Sequence, residues 1–387
     1  MIGTLRVSIG IVFLAGLATS AAGPGSQPSM EGRRLFDQET FGGNGRTCRT
    51  CHTEDTGTVS PDDAAKRLKQ DPNDPLFLHD GSDDGLGNGV TRMLADATIL
   101  VTIPLTSNVR LADDPLATSI TVKRAIPSTL NTPALDNDPV TGTLVFQLDG
   151  RQPTLESQAA GAIEGHAQAA VPSAAALHEI AEFQRTNSFF SSSALRDFFH
   201  GGPAPGLPEG RSPSEKRGRR FFEDVPPDPT DGFTSGLCSH CHSGPLLNQT
   251  NQFAKDFIGL PISAGARFMS VGVAEFNAAN NPIREFIFNR GTPNETHVVS
   301  PDPGRALITG VGFDSPPAQI LQNVNAFKIS QLRGIRRTAP YFHDNSAKTL
   351  EDVAAHYARF FSFVTGGAIV LTPRDQMDIV AFLKLLD

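Results

Sequence analysis

The chain has 387 residues, of which 39% are apolar and 19% are charged. This length allows two domains with cores of ordinary size, and the moderate charge excludes a disordered chain. The 41 acidic and 33 basic residues give a net charge of −8. This acidic balance argues against a nucleic-acid partner, because phosphates attract clustered Lys and Arg.

Residues 1–22 have the layout of a secretory signal. Arg6 precedes an apolar stretch from Val7 to Leu17, and small residues follow as far as Ala22. Such a segment directs export and is then removed. The alternative is a retained anchor helix, but the apolar stretch is shorter than the roughly 20 residues that span a bilayer. We therefore expect a periplasmic protein with no membrane span after cleavage.

The elements predicted after the signal are mostly helices. Short strands are expected at 99–103 and 142–146. A helix is predicted over 172–186, where apolar residues recur at helical spacing. The stretch 201–210 is too rich in Gly and Pro to be helical. Three further helices are predicted from the capping residues at their starts, which are Ser212-Pro213, Thr349 and Thr372-Pro373. The sequence thus predicts a mainly α fold with long loops and few short strands.

The four cysteines fall into two pairs, and a histidine directly follows each pair. Residues 48–52 (CRTCH) and 238–242 (CSHCH) both have the pattern C-x-x-C-H, the attachment motif of a c-type haem. In that chemistry two thiols bind the porphyrin covalently and the histidine ligates the iron. Disulfides, a redox C-x-x-C pair and a four-cysteine zinc site are the alternatives. None of them explains the two histidines, so we predict a dihaem c-type cytochrome.

The two motifs lie far apart, which predicts one haem in each of two cytochrome c-like domains. The Gly/Pro-rich stretch between them is the expected boundary. The N-terminal domain is then 23–200 and the C-terminal domain 201–387.

Several other segments resemble the bacterial dihaem cytochrome c peroxidases and their MauG-type relatives. In the second half, segments 327–334 (FKISQLRG) and 338–344 (TAPYFHD) are similar to the signature of that superfamily. In the first half, segments 131–133 (NTP), 149–151 (DGR) and 155–159 (LESQA) are similar to its first-domain motifs. The resemblance extends over most of the chain after the signal.

The resemblance implies different roles for the two haems. The resemblance to the superfamily is interrupted by an atypical insertion at about 58–124. The haem on His52 is the peroxidatic one, and the haem on His242 stores and relays electrons. The second haem's sixth ligand is implied at Tyr357, fourteen residues after His343, where the peroxidases have Met and MauG has Tyr. A phenolate favours ferric iron. From the residues alone, a core residue on its helical stripe is the favoured interpretation of Tyr357.

The residues implied around the peroxide depart from the superfamily's pattern, which is a Gln and, ten residues later, a Glu. Gln158 matches the first position, but Gln168 stands at the second, and an amide cannot accept the proton of peroxide. Glu164 and His166 are titratable substitutes nearby, and the alternative for each is a solvated loop residue. This departure argues against efficient peroxidase turnover. His79, inside the insertion, is a candidate sixth ligand of the first haem, although an exposed loop histidine is the simpler interpretation.

The superfamily also places a Trp between the haems, directly before the DGR segment. Here Leu148 occupies that position, and the chain contains no Trp. Leu cannot be oxidised, so we predict weaker coupling between the haems than in relatives with Trp.

The expected cofactors are two covalently bound haem c groups and a calcium ion. The resemblance implies calcium at Asn131, Thr338 and Pro340, whose oxygens are of the kind that calcium binds. The expected function is a periplasmic oxidoreductase that reduces hydrogen peroxide, or a MauG-like oxidase that uses it. The electron donor would be a small redox protein, such as a cytochrome c or a cupredoxin, or a protein substrate. The alternative is a dihaem cytochrome that only transfers electrons.

Overall fold

The computed structural model describes residues 30–132 and 146–386. The signal-like residues 1–22 and most of the predicted strand 142–146 lie outside these ranges. The helices are α1 (Met30–Asp37), α2 (Cys48–Cys51), α3 (Pro61–Gln70), α4 (Thr91–Asp96), α5 (Leu155–His166), α6 (Ala174–Thr186), α7 (Ser193–Phe199), α8 (Pro213–Arg220), α9 (Ala254–Ile258), α10 (Val273–Phe276), α11 (Ala306–Thr309), α12 (Pro317–Leu321), α13 (Leu350–Val364) and α14 (Pro373–Leu383). The strands are β1 (Thr98–Pro104), β2 (Val109–Leu111), β3 (Ser119–Ala125), β4 (Phe268–Met269), β5 (Arg284–Phe288), β6 (Thr296–Ser300) and β7 (Phe327–Lys328). The predicted mainly helical fold with few short strands is confirmed.

The three helices predicted from capping residues begin where expected, because α8, α13 and α14 each begin with a capping box on Ser212, Thr349 and Thr372. The helix predicted from apolar spacing over 172–186 is α6, whose start is capped by the side chain of Ser173. Each cap satisfies amide groups that would otherwise lack partners at the helix start, and is worth about 1 kcal/mol. Within the two described ranges, no helix is long and apolar enough to cross a membrane.

The insertion forms a hairpin that packs against the second half of the chain. Strands β1 and β3 pair antiparallel from Thr98↔Ala125 onward, which confirms the strand predicted at 99–103. Strand β2 pairs with β5, which also pairs with β6, so one three-stranded sheet contains strands from both halves. Ile103 from the insertion and Phe286 and Phe288 from β5 are fully buried in one apolar core.

A second core surrounds α8, α13 and α14. It buries Phe221 and Phe382 completely. Gly218 permits the close contact of α8 with α14, because a Cβ at this position would lie 1.9 Å from the carbonyl oxygen of Asp378. The neighbouring Arg217 pairs with the carboxylates of Asp375 and Asp378 at 2.7 and 2.8 Å. The two helices are therefore joined by both packing and buried charge.

A buried ion network links the insertion to both halves. Arg124 is 1% exposed and donates two hydrogen bonds to the carboxylate of Asp302, at 2.7 and 2.9 Å. It also pairs with Asp149 at 2.5 Å, and Arg151 pairs with the same Asp149 oxygen at 2.6 Å. The acid and the base of the DGR segment thus both belong to this network.

Candidate haem-binding sites

The two C-x-x-C-H motifs hold their histidines in the same way. The first motif lies on α2 and the second on a 3-10 turn, Leu237–His240. The Nδ1 of His52 donates to the carbonyl oxygen of Gly57 at 2.8 Å, and the Nδ1 of His242 donates to that of Leu247 at 2.8 Å. Both acceptors lie five residues after the histidine. A bond of this kind fixes the tautomer and leaves Nε2 as the nitrogen for a metal.

The cysteines of both motifs are free thiols, and the imidazole of His52 is neutral. All four cysteines are free of disulfides, and burial raises the pKa of Cys48, Cys238 and Cys241 to about 12. Burial also lowers the pKa of His52 to about 4, against the opposing hydrogen bond to its ring, so the imidazole is neutral at physiological pH. Neutral imidazole is the form that binds iron. The residues present therefore fit a covalently attached haem at both motifs.

A cavity lies beside His52. Cys51 and His52 line it together with one face of α5, which presents Gln158, Ala162 and His166. Three basic side chains also line it: Arg124, Arg151 and Lys328. Burial, with a smaller effect from the charge of Arg267, lowers the pKa of Lys328 to about 8. A cavity with apolar walls and several cations suits a flat, largely apolar group that carries carboxylates.

The structure brings together two of the four residues predicted around the peroxide. Gln158 and His166 lie on the same face of α5 and line the cavity. Glu164 is exposed, since it lies about 120° around the helix from Gln158. Gln168 is also exposed and follows the end of α5, with a φ of 54°.

His166 has a buried partner that sequence analysis missed. Its Nδ1 donates to a carboxylate oxygen of Asp80 at 2.5 Å, and the other oxygen of Asp80 pairs with Arg46. Burial alone would raise the pKa of Asp80, but the hydrogen bond from His166 and the charges of His166 and Arg46 hold it below its usual value. The sequence gives no signal for this pair, because its members lie far apart and Asp80 belongs to the insertion. The adjacent His79 does not line the cavity.

Tyr357 lies at the second motif. It packs in the same apolar cluster as Cys238. Burial raises the pKa of Tyr357, and the proximity of Cys241 and Cys238 adds to this effect. The neighbouring His356 is held elsewhere, because its Nε2 lies 2.9 Å from the carbonyl oxygen of Val271.

Asn131, one of the three residues implied for calcium, contacts the turn that leads to the other two. Its side-chain amide donates to the carbonyl oxygen of Arg333 at 2.9 Å. Thr338 and Pro340 follow this turn, and the Thr338 amide donates to the carbonyl oxygen of Ile335.

The position where relatives have Trp lies between the cavity and the second half of the chain. Leu148 lines the cavity, and its carbonyl oxygen accepts a hydrogen bond of 2.8 Å from the amide of Lys328 on β7. Phe146, which also lines the cavity, is fully buried.

Comparisons with known proteins agree with the motifs. No family model matches the chain. The cytochrome-c peroxidase IdrP2 of Pseudomonas sp. (strain SCT) is 29% identical over 162 residues, which cover 38% of this chain and 35% of that protein. The chain thus matches only about a third of this curated relative's length.

Two solved structures are also similar. A MauG-like protein associated with microbial copper homeostasis is 19% identical over 93% of this chain and 90% of its own, with a TM-score of 0.47. A variant of the diheme peroxidase BthA from Burkholderia thailandensis is 15% identical over 92% of this chain and 84% of its own, with a TM-score of 0.41. The sequence match to a peroxidase confirms the resemblance inferred from the motifs, and the chain is similar to the cytochrome c peroxidases.

Proposed function

We propose that the protein is a periplasmic dihaem c-type oxidoreductase that reduces hydrogen peroxide with electrons from a protein donor. The observation that carries this proposal is the repeated motif geometry. Each C-x-x-C-H histidine is held through Nδ1 by a carbonyl oxygen five residues later, and the first also lines a cavity with Gln158 and His166. The first site therefore suits a substrate, and the resemblance assigns electron transfer to the second.

The residues that would hold the two haems follow from this geometry. At the first site they are Cys48, Cys51 and His52; at the second they are Cys238, Cys241, His242 and Tyr357. When bound, the haems supply redox-active iron that accepts and passes on electrons one at a time. Tyr357 as a phenolate would favour the ferric state of the second iron. Its burial opposes ionisation, so the phenolate would form only against a neighbouring cation.

Gln158 and His166 would handle the substrate. Reduction of H₂O₂ consumes two electrons and two protons and yields two waters. The Gln158 amide can orient peroxide through hydrogen bonds, and the His166 imidazole can carry a proton from one peroxide oxygen to the other. Glu164 and Gln168 are exposed and do not line the cavity, so they would contribute less.

Electron supply to the first site would be slow relative to relatives with Trp. Leu148 cannot be oxidised, so electrons must pass between the two haem sites directly or use another side chain. The donor class is a small redox protein such as a cytochrome c or cupredoxin; a MauG-like oxidation of a protein substrate would use the same two sites. A calcium ion on the oxygens of Asn131, Thr338 and Pro340 would tie the two halves together between the sites.

The proposal is tested on the purified holoprotein. Mass and the pyridine haemochrome spectrum should show two covalently bound haems, and Cys238→Ser should lose one thioether. Cyanide should bind one haem of the enzyme. In a separate assay without cyanide, the enzyme should use peroxide to oxidise a reduced cytochrome c. Cyanide binding to neither haem, together with no turnover, would identify a cytochrome that only transfers electrons. Turnover of a protein substrate without oxidation of cytochrome c would place the protein with the MauG-like oxidases.

A further inference from the structure

We propose that Asp80, supplied by the insertion, is a positioning residue that fixes His166 so that its Nε2 carries protons at the first site. The inference rests on the proposed function, because it names the proton carrier of that reaction. It also explains how the chain compensates for Gln168 at the position where relatives have an acid. In the described part of the chain, no other side chain of the insertion hydrogen-bonds to the His166 ring.

Asp80 is held rigidly. It lies in a short 3-10 turn, His79–Gly81, and is 4% exposed. One carboxylate oxygen pairs with Arg46, whose guanidinium also donates to three backbone carbonyl oxygens of the insertion. These belong to Pro75 at 2.8 Å, Leu76 at 3.1 Å and Leu78 at 2.5 Å. The carboxylate therefore cannot swing away from the His166 ring without breaking several buried hydrogen bonds.

The carboxylate determines which ring nitrogen faces the cavity. Asp80 accepts the Nδ1–H of His166 at 2.5 Å. The carbonyl oxygen of His166 is held separately, by the side chains of Asn44 at 2.9 Å and Arg46 at 3.1 Å. The backbone and the ring of His166 are thus both fixed. Its Nε2 has no hydrogen-bond partner within residues 30–132 and 146–386, so this nitrogen is available to a substrate in the cavity. A carboxylate behind an imidazole orients the ring and stabilises its protonated form.

The surrounding charges suit a proton carrier. Asp80 and Arg46 are buried together and cancel each other. Arg92 also faces the pair, because its guanidinium donates to the backbone carbonyl oxygen of Asp80 at 2.9 Å. The other titratable groups near the pair are Cys51, His52 and His79, whose Nδ1 lies 4.0 Å from Asp80. Asp80 supplies the hydrogen-bonded negative charge at the His166 ring, and the cations Arg124, Arg151 and Lys328 line the cavity that this ring also lines.

The proton movements balance without a further base. The first peroxide oxygen gives its proton to Nε2 of His166, which passes it to the second peroxide oxygen. The O–O bond then breaks, and the second oxygen, now carrying two protons, departs as water. The remaining oxygen takes two electrons from the protein donor and two protons from solvent, and leaves as the second water. A positioned general acid–base of this kind contributes roughly 10²- to 10⁴-fold to rate.

The test compares Asp80→Asn with Asp74→Asn in the holoprotein. Asp74 belongs to the same insertion and pairs with Arg67 at 2.6 Å, so it controls for loss of a carboxylate there. The readouts are the association rate of cyanide with the first haem from pH 5 to 9, by stopped-flow absorbance, and kcat/KM for peroxide. Cyanide enters as HCN and must give up its proton to bind, so its rate reports the pocket base independently of turnover.

We expect Asp80→Asn to slow cyanide association about tenfold or more at neutral pH, to lower kcat/KM about 100-fold, and to change the pH profile of cyanide association. Asp74→Asn should change both by less than about twofold. His166→Gln should match Asp80→Asn, and the double variant should lose no more than either, because the two residues act as one unit. Unchanged rates and an unchanged pH profile in Asp80→Asn would overturn the inference.

The remaining outcomes of this experiment also support or overturn the inference. If Asp80→Asn does not fold, His166→Gln takes its place: slower cyanide association and lower kcat/KM support the inference, and wild-type rates overturn it. Cyanide binding that depends on Asp80 without any peroxide turnover would refute the proposed reaction and leave the positioning role standing. Cyanide binding to neither haem of the wild type would refute both.

Discussion

Replacing Arg124 with Gln should destabilise the protein strongly, because this side chain neutralises two buried carboxylates. Asp302 and Asp149 are fully buried, and Arg124 itself is 1% exposed. After the replacement Asp149 keeps Arg151, but in the described part of the chain no second cation pairs with Asp302. Breaking a buried ion pair from one side costs about 3–5 kcal/mol, since it leaves an uncompensated charge. For domains of about 150–250 residues this corresponds to a fall in Tm of roughly 6–20 °C.

The matched control is Arg284→Gln. Arg284 also sits on a strand and makes a two-pronged contact with a carboxylate, that of Asp113, but the Asp113 side chain is 61% exposed. An exposed pair of this kind is worth about 0–1 kcal/mol. Thermal unfolding followed by circular dichroism and urea titration should separate the two variants clearly. Adding Asp302→Asn to Arg124→Gln should recover part of the loss. Equal, small losses in both arginine variants would refute the reasoning.

The same network predicts how stability depends on acid. Burial would raise the pKa of Asp149, but the charges of Arg124 and Arg151 outweigh it and hold the pKa below its usual value. A carboxyl with a lowered folded-state pKa stabilises the native state above its unfolded value of about 3.9, and this contribution is lost as pH falls through the folded value. The wild type should therefore lose stability steeply below about pH 4, and Arg124→Gln should lose less over that range.

Two further predictions concern single side chains. Tyr357→Phe should change the ligand signature of the second haem in EPR and absorption spectra. The control is Tyr341→Phe, at the chain's other tyrosine, which should leave the signature unchanged because the Tyr341 hydroxyl donates to a backbone carbonyl. Identical spectra for the wild type and Tyr357→Phe would remove the ligand assignment. Gly218→Ala should cost about 1–3 kcal/mol or more through its clash with the facing helix. Gly165→Ala, with no atom within 4 Å of the new Cβ, should instead stabilise α5 by about 0.5–1 kcal/mol; urea midpoints that move in the same direction would contradict this packing argument.

The features predicted correctly from the sequence are those encoded locally. A capping residue and its partner are three residues apart, so Thr349 and Thr372 mark their helices without help from the rest of the chain. The haem motifs are equally local. Even the hydrogen bond that fixes His52 uses a carbonyl only five residues away.

The features that sequence analysis missed depend on distant partners. Nothing near Arg124 indicates that Asp302 will meet it, and nothing near His166 indicates Asp80. Helix α5 ends at His166, so Gln168 leaves the face that Gln158 begins, and the matching position no longer faces the cavity.

The sheet shared by β2, β5 and β6 has a consequence for how the chain reaches its folded state during synthesis. Strand β2 emerges long before β5, so its backbone groups and the apolar surface around Ile103 stay uncovered until residues 284–288 follow. Pairing across so large a sequence separation is slow, and an uncovered strand edge invites association with other chains. The first half therefore cannot complete its sheet and apolar core until the second half has been made. A fragment that stops at the Gly/Pro stretch 201–210 should aggregate and not fold.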